Sequence, residues 1–129
     1  MPNTIIVSQN LQIFGDSSLS EENSIICEAL DKVEVTVPHN TADMEVNLFT
    51  GSAADVQVLA IKANQYLTGL AYKVHADTNP SVALDAMQVF AGAGEIALMG
   101  FVPDKLFFSN EHLSSDAIIT IFVGRKATL

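Results

Sequence analysis

The chain has 129 residues, 49% of them hydrophobic, and sets 15 acidic side chains against 6 basic ones for a net charge of −9. That length fits a single domain, 1–129, around one core. Such an excess of carboxylates repels phosphate and anionic lipid, so direct nucleic-acid or membrane binding is not expected, and no apolar run approaches the roughly 20 residues of a bilayer-crossing helix.

The N-terminal stretch MPNTIIVSQNLQIFGDSS lacks the basic start and long apolar run of a signal peptide. With a single cysteine, Cys27, and no N-x-[ST] sequon, the composition suggests a protein made in the cytoplasm and not secreted. The acidity is uneven: residues 1–45 hold eight carboxylates against Lys32 alone.

In chain order, TIIV (4–7) and LQIF (11–14) are the first strand candidates, separated by a turn signal at Asn10 and followed by Gly15-Asp16. Residues 1–14 are read as an N-terminal arm or an edge strand. SLSEENSIICEALDK (18–32) is open between a short helix capped by Ser20, with Glu21 and Glu22 in its first turn, and an acidic loop leading to a strand from Ile25. In LDKVEVTV (30–37), Val33, Val35 and Val37 alternate with Lys32, Glu34 and Thr36, the period of a strand wet on one face.

After Pro38-His39-Asn40, DMEVNLFT alternates Met44, Val46 and Leu48 with polar neighbours, and Gly51-Ser52 closes that run. VQVLAIKA (56–63) and YLTGLAYKV (66–74) read as central strands joined by a tight hairpin at Asn64-Gln65, with Tyr66, Thr68, Leu70, Tyr72 and Val74 on one side. SVAL (81–84), MQVF (87–90), EIALM (95–99), KLFF (105–108) and AIITIFV (117–123) follow, divided by Asp77-Thr78-Asn79-Pro80, Gly92 to Gly94, Pro103-Asp104, Ser109-Asn110 and Ser114-Ser115-Asp116. Short strands with such punctuation predict an all-β fold, an antiparallel β-sandwich or jelly-roll-like small barrel with at most one short helix.

Chemistry is sparse. Gly92, Gly94 and Ala97 fit G-x-G-x-x-G/A, but a dinucleotide loop needs a long helix returning to a parallel strand, and Gly100 and Pro103 interrupt the chain too soon. Glu111, near the place of a ribose-binding acid, lies in an apparent loop; the glycines are read as a turn and EIALM as the next strand. His39, His75 and His112 stand singly, without a second ligand at metal spacing, and are read as exposed or hydrogen-bonded loop residues. Cys27, remote from them in sequence, is read as inert packing. Asp43 and Glu45 share a strand face and are read as its solvated side; Asp77, Asn79 and Asp85 lack a calcium-loop spacing. No catalytic residue, cofactor or metal is expected. Tyr66 and Tyr72 are the candidates for an alternative function, a small ligand- or glycan-binding β-sandwich module.

The runs VTVPHNTADMEVNLFT, VLAIKANQYLTGLAYKV, MQVFAGAGEIALMG and AIITIFVGR, with an N-terminal extension before them, resemble the small β-sandwich decoration, or cement, proteins of tailed bacteriophage capsids. The resemblance covers residues 30–125 and lies in strand lengths, small intervening residues and a terminal strand ending in Gly124-Arg125, not in a diagnostic motif; the acidic segment 16–34 does not map onto it. It implies a non-enzymatic virion protein, partnered by a major capsid protein or another virion protein, and a homo-oligomer, dimer or trimer. Sheet edges or an N-terminal segment can add strands to a neighbour, which makes TIIV, and within it Ile5, Ile6 and Val7, the candidate interface.

Overall fold

The computed structural model describes residues 3–48, 56–101 and 103–126. Ten strands run in chain order: β1 (Asn3–Gln12), β2 (Ser18–Cys27), β3 (Ala29–Val37), β4 (Thr41–Asn47), β5 (Val56–Ala63), β6 (Leu70–Val74), β7 (Ser81–Ala83), β8 (Gln88–Ala91), β9 (Lys105–Asn110) and β10 (Ala117–Arg125). One short helix, α1 (Ala93–Ala97), lies between β8 and β9. Strands β3 to β10 form two antiparallel four-stranded sheets of order β3-β10-β5-β8 and β4-β9-β6-β7. Counted from β3, these are strands 1-8-3-6 and 2-7-4-5, the interleaving of a jelly roll. The expected all-β sandwich is therefore the fold, with jelly-roll connectivity.

Alternation places the core. Along β10, Ala117, Ile119, Ile121 and Val123 are wholly buried, and β10 pairs on both sides, with β3 and β5. From the opposite sheet, Leu70, Tyr72 and Val74 of β6 and Leu106 and Phe108 of β9 face them. The Tyr72 and Phe108 rings lie 6.0 Å apart at 44°, a tilted contact. The Tyr72 hydroxyl, carried into the apolar layer, donates to Gln88 Oε1, and burial pushes its pKa up to about 12.

Several sequence expectations need correction. TIIV and the first half of LQIF are one strand: Asn10 lies inside β1, and the turn comes at Ile13–Ser17, where the Asp16 amide donates to the Ile13 carbonyl at 3.0 Å. Residues 18–27 are neither helix nor loop but β2, paired with β1 over ten consecutive positions; this ladder outweighs the local Ser20-Glu21-Glu22 helix signal. Asn64-Gln65 does not close a hairpin, because β5 and β6 belong to opposite sheets and the segment crosses between them. Tyr66 and Thr68 precede β6 and are exposed. Ser109-Asn110 ends β9 rather than breaking it.

EIALM is helical rather than a strand. Gly92, at φ 94°, turns the chain out of β8, the Glu95 carboxylate accepts the Ala91 N–H, and Ile96 drops into the core. The second glycine, Gly94, is not in the left-handed region. The Gly51-Ser52 turn lies outside the described residues.

Among the described residues, one polar side chain, that of Asn110, is fully buried. Asn110 Nδ2 donates to the carbonyls of Val37 (3.2 Å) and Ser115 (2.9 Å), and its Oδ1 accepts the His112 N–H (3.1 Å), tying β3, β9 and the loop before β10 together. Asn110→Ala leaves two carbonyls and one amide without this partner, and we expect a loss of about 1–3 kcal/mol in urea unfolding with an unchanged m-value.

Candidate arm and groove

The β1–β2 hairpin belongs to neither sheet of the sandwich. Its ten-residue strands reach roughly 30 Å. In the antiparallel register Ile5 lies opposite Ile25, Val7 opposite Asn23, Gln9 opposite Glu21 and Leu11 opposite Leu19, so these pairs share one face of the hairpin. Thr4, Ile6, Ser8 and Asn10 line the other.

The first of these faces lies on the outer side of the β3-β10-β5-β8 sheet. Leu30, Gly124, Val58 and Ala91 are cross-strand neighbours there and form a row across the sheet. A Cβ on Gly124 would sit 2.7 Å from Cys27 Sγ and 2.8 Å from Ile5 Cδ1, so the absence of a side chain lets the hairpin settle on β10. Cys27 and Val58 are buried here, outside the main core cluster, and burial raises the Cys27 thiol pKa. Val7, Gln9, Glu21 and Asn23 then pass beside Gly94, Glu95 and Leu98 of the α1 segment.

Two apolar surfaces of the hairpin and its seat remain open. Beside β1, the next row of the sheet, Phe122, Ala60 and Val89, together with Met87, floors a groove of about 480 Å³ whose wall is Thr4 to Ser8. Beyond the part of the hairpin seated on the sheet, Leu11 and Leu19 are 57% and 67% exposed, and Ile13 and Phe14 at the turn are exposed as well, Phe14 completely. A folded monomer gains nothing by holding these side chains in water.

Of the three residues expected at an interface, Ile5 and Val7 point toward the sandwich and are half-buried, while Ile6 faces solvent at 60% exposure. The distal residues Leu11, Ile13, Phe14 and Leu19 were not among them. Reading 18–27 as helix or loop hid them, because only pairing with β1 brings Leu19 beside Leu11.

The remaining candidates are engaged elsewhere. His39 Nδ1 and its backbone N–H both meet Asp116 Oδ1 at 2.9 Å, His75 Nδ1 meets Asp104 Oδ1 at 2.8 Å, and His112 Nδ1 accepts the amides of Ser114 and Ser115. Asp43 pairs with Lys73 at 3.0 Å and Glu45 with Lys105 at 3.5 Å, so these two carboxylates serve separate ion pairs. Asn79 closes its own turn by donating to the Val74 carbonyl. Tyr72, at 1% exposure, presents no ring face to a sugar, whereas Tyr66 is partly exposed. Glu95 brings a negative charge to the Gly92 loop, where its carboxylate accepts the Ala91 N–H. No group of three or more His, Cys, Asp or Glu side chains among the described residues is arranged to hold a metal ion.

Two predictions follow from the arm's seat and from the His39 contact. Gly124→Val places a side chain where Ile5 and Cys27 sit; the Cys27 thiol, shielded in the native chain, should then react with a water-soluble disulfide reagent without global unfolding. The hydrogen bonds from His39, backbone first and ring second, hold the Asp116 carboxyl below its ordinary value. The stabilisation they contribute is complete above the unfolded-state carboxylate pKa and is lost as pH falls through the lower folded value. Carboxyl NMR titration should show that low midpoint, and His39→Ala should move it upward.

No family model matches the chain, and no curated protein or solved structure matches it either.

Proposed function

We propose that this protein is a non-enzymatic structural component of a virion, a decoration or cement protein that binds an assembled bacteriophage capsid lattice and stabilises it. The observation that carries this reading is the arm: a hairpin seated on its own sandwich at one end and presenting Leu11, Leu19, Ile13 and Phe14 to solvent at the other. A jelly-roll sandwich is an architecture found in viral capsid and lectin domains, which supports the reading by analogy of fold. The sequence resemblance over residues 30–125 points the same way.

The mechanism is mass action. A protein that binds the assembled lattice and not free subunits adds stability with each occupied site. It needs contact surface rather than a reacting centre, and the apolar arm tip supplies one. The partner is a major capsid protein or another virion protein, and the chain is made in the host cytoplasm and resides in the virion. Its surface acidity restricts nonspecific contacts with nucleic acid and membranes.

The test is sedimentation of the native protein from its source. It should travel with megadalton particles in many copies, and adding purified chain to particles stripped of it should restore their resistance to heat. Phe14→Ser combined with Leu19→Ser should reduce occupancy at least tenfold while the circular dichroism of the β fold is unchanged. Recovery of the protein solely as a free small species would overturn the reading.

A further inference from the structure

Sheet edges with unpaired N–H and C=O groups invite pairing with another chain, and folded proteins blunt them by shortness, charge, bulges or cover. The described edges of this molecule are blunted in these ways with one exception. β7 has three residues, and β8 has four and packs beside α1. β3 carries Asp31, Lys32 and Glu34. β4 carries Asp43 and Glu45 and breaks register between Thr41 and Met44, with Asp43 at φ 51°. β2 carries Glu21 and Glu22.

β1 differs on every count. It is ten residues long, its register with β2 is unbroken, and between Asn3 and Gln12 it has no charged residue and no proline. Its other edge pairs with no strand among the described residues and borders the groove along Thr4 to Ser8. The residues lining that groove are uncharged too. In a chain of net charge −9, the first charged residue is Asp16, so the one long unguarded edge lies in the uncharged segment together with Leu11, Ile13 and Phe14.

We propose that β1 pairs antiparallel with β1 of a second copy of this chain, about a two-fold axis near Gln9, forming a continuous four-stranded sheet from the two hairpins. This register sets Leu11 of each copy opposite Val7 of the other and Ile13 opposite Ile5. Facing pairs in an antiparallel ladder share a side, so Leu11 and Ile13 come down over the other copy's Phe122, Ala60 and Val89. Leu11 and Ile13 of each copy thereby fill the other's open groove, and Phe14 and Leu19 are left for the lattice contact proposed above. The contact is isologous, closes at two chains and removes the unguarded edge from both. The two sandwiches lie end to end, because each occupies the space beneath the first half of its own β1. The pairing deepens the oligomeric side of the function proposed above, and it needs no capsid, so the two can fail separately.

The test is sedimentation equilibrium of the purified full-length chain over a concentration series. The expected mass is twice the 13.8 kDa of one chain. Ser8 and Asn10 are exposed, lie on the solvent side of the hairpin and face each other across the proposed axis, so their substitution leaves the sandwich untouched. The double variants Ser8→Lys/Asn10→Lys and Ser8→Glu/Asn10→Glu should each sediment as monomers, with a dimer dissociation constant raised at least tenfold. An equimolar mixture of the two should recover the dimer, which a fold defect would not allow. A wild-type monomer at all concentrations, a dimer indifferent to both variants, or a mixture that stays monomeric would each overturn the proposal.

Discussion

The arm depends on a contact that only a glycine permits. Gly124 lies in β10, the strand that pairs on both sides within its sheet, so its backbone is held by ladders to β3 and β5, the latter shifting register just after it. With no side chain there, Ile5 and Cys27 approach the strand directly, and Val58 is buried beside them. Anchored at this one row, the hairpin has a defined direction across the sheet toward α1. Its far end then leaves the sandwich, and Leu11 and Leu19 continue an inward-facing side of the hairpin while remaining exposed.

The polar groups with chemical potential are committed to holding loops. Asp116 takes both the backbone and ring nitrogens of His39, Asp104 takes the ring of His75, and His112 collects two amides of its own turn. The ion pairs Asp43–Lys73 and Glu45–Lys105 lie on the outer face of the β4-β9-β6-β7 sheet, where solvent screening leaves them little energetic weight. Asn110 is different, because it is buried and its three hydrogen bonds bridge strands from both sheets and a loop. The apolar surfaces are the opposite case: they are ready for contact and have no intramolecular use.

Much of the sandwich was legible in the sequence because its strands are wet on one face or buried on both. The alternation of Val33, Val35 and Val37, the apolar run of β5 and the closing AIITIFV have a period or density that no helix would produce, and each became a strand within a residue or two of its expected limits. The misreadings fell where partners are distant in sequence or the pattern is weak. Residues 18–27 carry a local helix signal, and their strand state exists only because β1 pairs with them. EIALM has the composition of a strand, but Gly92 at positive φ and the Glu95 carboxylate on the Ala91 amide turn it into helix. The hairpin expected at Asn64-Gln65 was plausible locally, and the jelly-roll crossing excludes it.

By itself, the sequence determined the β class, the inward residues of most strands, the scarcity of reactive constellations and the uncharged character of residues 1–15, since composition and two-residue periodicity are local properties. Only the tertiary structure decided which strands share a sheet, that Cys27 and Val58 are buried beneath an arm rather than in the core, and that Leu11, Leu19 and Phe14 stand free beyond it. Those outcomes depend on backbone pairing between segments far apart in the chain and on the one strand position, Gly124, where a missing side chain lets two layers meet.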